Sequence, residues 1–119
     1  MIQGDMERIK RMIATGERLR HYLDTHQIDE RRILEDYEIQ WAITTPLSNI
    51  GEQTYRLSSD LKDQHGGIPW ARISGLRHRL VHDYEGTNWS VISNIVLHDL
   101  PIFMEQIINL LEYEQNKQL

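Results

Sequence analysis

Apolar residues in this chain recur every three or four positions and almost nowhere alternate with polar ones. That is the period of an amphipathic helix, and it leaves little room for strands. The spacing predicts a first helix over 5–24, with Met6, Ile9, Ile13, Gly16, Leu19 and Leu23 as its buried stripe and Asp5 as its N-cap. A polar connector, 24–27, precedes a short helix capped by Asp29 and carrying Ile33 and Leu34. A long helical pattern then runs over 36–63, with Tyr37, Trp41, Leu47, Ile50, Tyr55, Leu57 and Leu61 on its apolar side. Pro46 lies inside it, where it removes a backbone donor and crowds the preceding turn, so a kink near Thr44 and Thr45, or a break capped by Thr45, is expected. Gly51 suggests the close approach of another backbone.

His65-Gly66-Gly67 is the clearest stop signal, and Pro69 sits well in the first turn of a helix that reaches about Asp83 with Ile73, Leu76 and Leu80 inward. Asn88 caps a helix carrying Trp89, Ile92, Ile95 and Val96. Asp99 is expected to cap the last one, with Pro101 in its first turn, Phe103, Ile107, Leu110 and Leu111 inward, and fraying from Asn116. Five or six helices with short connections make an all-α antiparallel bundle, one domain over 1–119 with its core at about 5–114. A bundle this small leaves apolar surface for a second copy to cover, so a homodimer is expected.

Composition narrows the function classes. With no cysteine there are no disulfides and no thiolate metal sites. No run of apolar residues approaches the roughly 18 that a spanning helix needs, and no signal-peptide core is evident, so a cytoplasmic protein without a membrane partner is expected. The formal charge of −5 argues against broad, non-specific nucleic-acid binding. Local basic clusters remain: Arg8, Lys10, Arg11, Arg18 and Arg20 early in the chain, then Arg72, Arg77, His78 and Arg79.

The second cluster opens the stretch with the most chemistry, 76–84. Arg77 offers a planar, permanently charged fork suited to phosphate oxygens. His82 is of the residue type that titrates near neutral pH. Together they suit phosphodiester cleavage in RNA. The histidine moves protons at the 2′-hydroxyl or the leaving oxygen, and the arginine stabilises charge developing at phosphorus. The 2′-hydroxyl is an internal nucleophile, so neither metal nor cofactor is called for. On a regular helix Arg77 and His82 point about 140° apart, so they converge only if the helix ends near His82 or a second subunit brings its copy close. Arg77 and Tyr84, seven apart, are nearly in line. The commoner fate of such a trio is a hydrogen-bonded or solvated helix face.

Other features have bland readings too. His78 and His82 share a helix face, but a metal site needs further ligands, and only Asp83 and His98 offer themselves. Glu52 can orient Arg77 or a histidine, although a surface charge is the usual outcome. Trp41, Trp70 and Trp89 are expected in the core rather than as base-stacking platforms. No phosphate-cradling glycine loop and no Gly-x-Ser-x-Gly occurs.

Arg77-x4-His82-x-Tyr84 resembles the signature of the HepT-like branch of the HEPN superfamily. Ile50-Gly51-Glu52, Ile68-Pro69-Trp70, Gly75-Leu76-Arg77 and Asp99-Leu100-Pro101 resemble the same family in the same order, over roughly 5–114. The resemblance implies a dimerising α-bundle whose two motif helices meet in an interface cleft. It also implies an RNase toxin of a type VII-like toxin–antitoxin module, partnered by a minimal nucleotidyltransferase antitoxin of the MNT type. Arg77 and His82 would be the catalytic pair, and Tyr84 the tyrosine that receives AMP from ATP. His78, Arg79, Asp83 and Glu52 would support the cleft. The chain departs from the pattern at His78, where asparagine is common, and at Pro46. A non-catalytic helical module that holds the nucleotidyltransferase or RNA is the alternative, favoured mildly by the net negative charge.

Overall fold

The first helix, α1 (Gln3–Thr25), buries Ile9, Met12, Gly16, Leu19 and Leu23 on one face. A computed structural model of the chain describes residues 1–81 and 86–117. Its described residues fold as helices alone: α2 (Glu30–Glu35), α3 (Tyr37–Arg56), α4 (Ser59–Gln64), α5 (Trp70–Ser74), α6 (Leu76–Val81), α7 (Trp89–Asn94) and α8 (Leu100–Lys117), with a π-helical turn, Ile95–Asp99, between the last two.

Several of these follow from their caps. Asp29 accepts from the Arg32 amide at the start of α2, and Asn88 from the Val91 amide at the start of α7, at 3.0 and 3.2 Å. Asp5 behaves differently from expectation. The helix starts earlier, and Asp5 is buried, accepting from the Ser58 amide at 2.9 Å and the Ser58 hydroxyl at 2.6 Å. It therefore ties α1 to the start of α4, whose own N-cap is Ser58.

The pattern over 36–63 is two helices, divided where Leu57 and Ser58 turn extended. Pro46 breaks nothing, for α3 is continuous through it. The carbonyl that loses its donor there belongs to Ala42, an exposed residue, so water can take the bond. Asp99 caps no helix either. Trp89–Lys117 is one unbroken helix of 29 residues. The π-turn in front of Pro101, closed by Leu100 N–H donating to Ile95 O, lets the rod pass the proline. By length and composition this helix is apolar enough to cross a membrane, but 44% of its most apolar window is buried within the protein. Ile92, Ile95, Val96, Leu100, Phe103, Ile107 and Leu110 all belong to the core. The last helix includes Asn116 and Lys117, and the rest of the end expected to fray, 118–119, lies outside the described residues.

Helix α3 is the central rod. It packs on α1, α2, α5 and α6, while α8 closes over α1 and α7 over α2. The bundle is elongated, 48 × 29 × 20 Å. Its core includes Trp70, whose ring meets Phe103 edge-on at 5.8 Å and whose indole N–H donates to His65 O. The aromatic side of α3 is reversed from expectation. Ile39, Ile43, Leu47, Ile50 and Thr54 face the core, while Tyr37, Trp41 and Tyr55 are each more than half exposed. Both sets keep a helical period, and the aliphatic one packs inward because α1, α5 and α6 press on that side.

Candidate functional site

Gly51 sets the geometry of the site. A Cβ there would stand 3.0 Å from the Arg77 amide nitrogen, 3.2 Å from Ile73 O and 3.2 Å from the Leu76 Cβ. The missing side chain thus lets the backbone of α5 and α6 lie directly against α3, at the residue the sequence marks for phosphate. These two helices form one bent rod. Gly75 stays right-handed, and its carbonyl accepts from the His78 and Arg79 amides, both at 3.2 Å.

Contact at Gly51 brings its neighbour Glu52 to Arg77. Arg77 Nε donates to Glu52 Oε2 at 2.7 Å, and Arg56 Nε donates to Glu52 Oε1 at 2.8 Å. The Arg77 guanidinium also lies over the Tyr55 ring, 4.0 Å from its centre. Two side chains about one turn apart on α3, Glu52 and Tyr55, therefore fix the arginine by its ε edge and one face, and Arg56 holds the other oxygen of Glu52. Among the described residues its two Nη groups make no hydrogen bond. Those are the atoms of the fork best placed to take two oxygens of one phosphate. Hydrogen bonds from Arg56 and then Arg77 hold the Glu52 carboxyl below the usual carboxylate range, so it is anionic at neutral pH.

Arg77 lies along a groove of about 540 Å³ whose floor and walls include Thr44, Ser48, Asn49, Glu52 and Leu80. Thr44 and Leu80 also line a smaller hollow of about 90 Å³, shared with Trp41, Thr87 and Trp89, so the two hollows adjoin. His78 and Arg79 are exposed on α6, and the Arg79 carbonyl accepts from the Thr87 hydroxyl at 3.3 Å.

Of the expected site residues, the fold brings Arg77 and Glu52 together. His82, Asp83 and Tyr84 lie outside the described residues. Tyr55 and Arg56 were missed as partners of the site. The spacing of Glu52 and Arg56, four apart on a helix, signals their pairing. That Tyr55 meets Arg77 depends on how two helices dock. Among the described residues no three potential metal ligands cluster.

The family described as Ribonuclease HepT-like matches residues 2–110. The chain is 32% identical over 77 residues to a protein of Thermococcus cleftensis provisionally named ribonuclease HepT, covering 65% of this chain and 70% of that one. It is 29% identical over 82 residues to a provisionally named RNase of Caldanaerobacter subterraneus subsp. tengcongensis, covering 69% and 73%. A provisionally named RNase of Methanocaldococcus jannaschii is 28% identical over 83 residues, covering 70% and 76%. No solved structure matches significantly.

Proposed function

Since the chain belongs to the Ribonuclease HepT-like family, we propose that it is a metal-independent endoribonuclease, the toxin of a toxin–antitoxin pair, with Arg77 and His82 as its catalytic residues. The observation that carries the reading is the arrest of Arg77 by Glu52 and Tyr55 with its Nη groups left to a groove. A guanidinium held this way is pre-organised, so little is lost in reorganisation when charge develops at phosphorus.

In the proposed reaction the 2′-oxygen attacks the adjacent phosphorus, and the bond to the 5′-oxygen breaks. The 2′-hydroxyl gives up its proton, the leaving oxygen takes one, and a 2′,3′-cyclic phosphate remains. His82 moves a proton at one of these oxygens, and Arg77 neutralises the phosphoryl oxygens between them. The protein acts as a homodimer in the cytoplasm, with the two motif helices facing across a shared cleft and His78, Arg79 and Asp83 along its walls. An MNT-type nucleotidyltransferase silences it by moving AMP from ATP to Tyr84. The adenylyl group adds bulk and negative charge beside the seat of the RNA phosphate, so sterics and repulsion act together.

Two tests follow. His82→Ala is expected to lower single-turnover cleavage by about 10²–10⁴-fold, and Arg77→Ala by about 10²–10³-fold, with circular dichroism unchanged. Cleavage at the parent rate by His82→Ala contradicts the assignment. Loss of RNA binding by these variants, from a parent that binds but never cleaves, selects the non-catalytic binding module instead. For the antitoxin, intact-mass spectrometry after incubation with ATP, magnesium and the nucleotidyltransferase should show AMP on the parent and none on Tyr84→Phe. Equal incorporation into both removes Tyr84 as the acceptor.

A further inference from the structure

The side of α3 turned from the core carries a second stripe, exposed at Tyr37, Trp41 and Tyr55 and half-buried at Thr44, Ser48 and Glu52, confined to roughly 80° of the helix circumference by its spacing of three and four. Its two ends are aromatic, its middle is small and polar, and Arg77 reaches it at Glu52. Tyr37 and Trp41 meet edge-on with ring centres 4.9 Å apart, and each is 58% exposed. An indole this exposed contributes little to the core. Its surroundings are largely polar, with Gln40, Thr44 and Thr87 lining the same hollow, and Trp89 lines it too. From Glu52 to Trp41 the helix rises about 16 Å, a few nucleotides along an extended strand.

We infer that Trp41 is a base-stacking subsite for single-stranded RNA, taking an unpaired base that flanks the phosphate held by Arg77. The inference rests on the ribonuclease reading for its ligand and deepens it. The Arg77 groove and the Trp41 hollow adjoin at Thr44 and Leu80, which both line, so one strand seated at Arg77 has Trp41 next along its way. Charge complementarity favours RNA over a second copy of this chain. The groove is lined by Arg77, whose two Nη groups make no hydrogen bond among the described residues, and its acid, Glu52, is already engaged by two arginines. The centre of the stripe, Thr44, Ser48 and Glu52, is polar and charged, whereas the centre of a stable protein interface is depleted of charge. Stacking tolerates any base, so the subsite selects unpaired RNA rather than a sequence.

The test is equilibrium binding of a fluorescein-labelled, 2′-O-methylated single-stranded RNA, which cannot be cleaved, run beside cleavage of the unmodified strand. Trp41→Ala should raise Kd about tenfold or more, raise KM in parallel, and leave kcat at saturating RNA and the melting temperature near those of the parent. Trp41→Phe, which keeps a ring, should recover part of the loss. The same RNA annealed to its complement should bind parent and Trp41→Ala alike. If the parent binds but does not cleave, the nuclease reading fails while the Kd ratio still decides the subsite. An unchanged Kd in Trp41→Ala overturns the inference. So does a shift from dimer to monomer in sedimentation, which assigns Trp41 to the contact between copies.

Discussion

Arg77 shows how a single side chain is readied by its neighbours. Its Nε is held by Glu52, its face by Tyr55, and the second oxygen of Glu52 by Arg56. Replacing Glu52 by Gln keeps the shape but removes the charge that fixes the guanidinium. Loosening of this kind should cost on the order of 10- to 100-fold in cleavage, with RNA affinity nearly retained, which single-turnover kinetics and binding would separate. The pH response has a definite sign. Glu52 is held below its ordinary value by hydrogen bonds from Arg56 and Arg77, so the clamp is fully present above the usual carboxylate range and is lost as pH falls through the lowered value. In the His82→Ala variant, which removes the imidazole proposed for the same site, the Arg77 Nε–H resonance should therefore stay in place from pH 7 to 5 and move only in stronger acid. A move between pH 7 and 5 would show that the clamp is not the carboxylate. The pair was half legible in the sequence, because an acid after a helix glycine is suggestive. Tyr55 over Arg77 was not, since it depends on the docking of residues 22 apart in the chain. Trp41 was misjudged as core, because hydrophobic size says nothing about which of two helical stripes the rest of the bundle will cover.

At the scale of the element, Gly51 couples packing to chemistry. A Cβ at 3.0 Å from the Arg77 amide nitrogen presses on backbone, which yields only by moving the whole α5–α6 rod. Gly51→Ala should destabilise the fold by about 1–3 kcal/mol in urea denaturation and lower cleavage further than stability alone accounts for, because Arg77 and Glu52 shift apart. An Ala variant as stable and active as the parent would mean that the two helices do not meet there. The expectation of a close backbone approach at Gly51 held, and so did the caps at Asp29 and Asn88, which depend on local hydrogen bonding. Expectations that needed tertiary knowledge did not. Asp5 reaches across to Ser58 instead of capping its own helix. Asp99 sits inside a helix and pairs with Arg72, because a π-turn carries the chain past Pro101 without a break.

Across the whole molecule, α3 divides its circumference between two duties. One side holds the bundle together on Ile39, Ile43, Leu47, Ile50 and Thr54, and the other lines two adjoining hollows, one at Arg77 and one at Trp41. The all-α class was legible from period alone, since that pattern is repeated in every helix. The shared cleft we propose would also answer the angular problem of Arg77 and His82 on one helix, because a second copy would supply the missing direction. Cleavage by an internal nucleophile is decided by incubating the purified chain with single-stranded RNA in excess EDTA, beside a strand carrying 2′-deoxy sugars throughout, with product ends read by mass spectrometry. RNA fragments ending in 2′,3′-cyclic phosphate and 5′-hydroxyl, and an intact deoxy strand, are expected. No RNA fragments, or equal cutting of the deoxy strand, would contradict such cleavage.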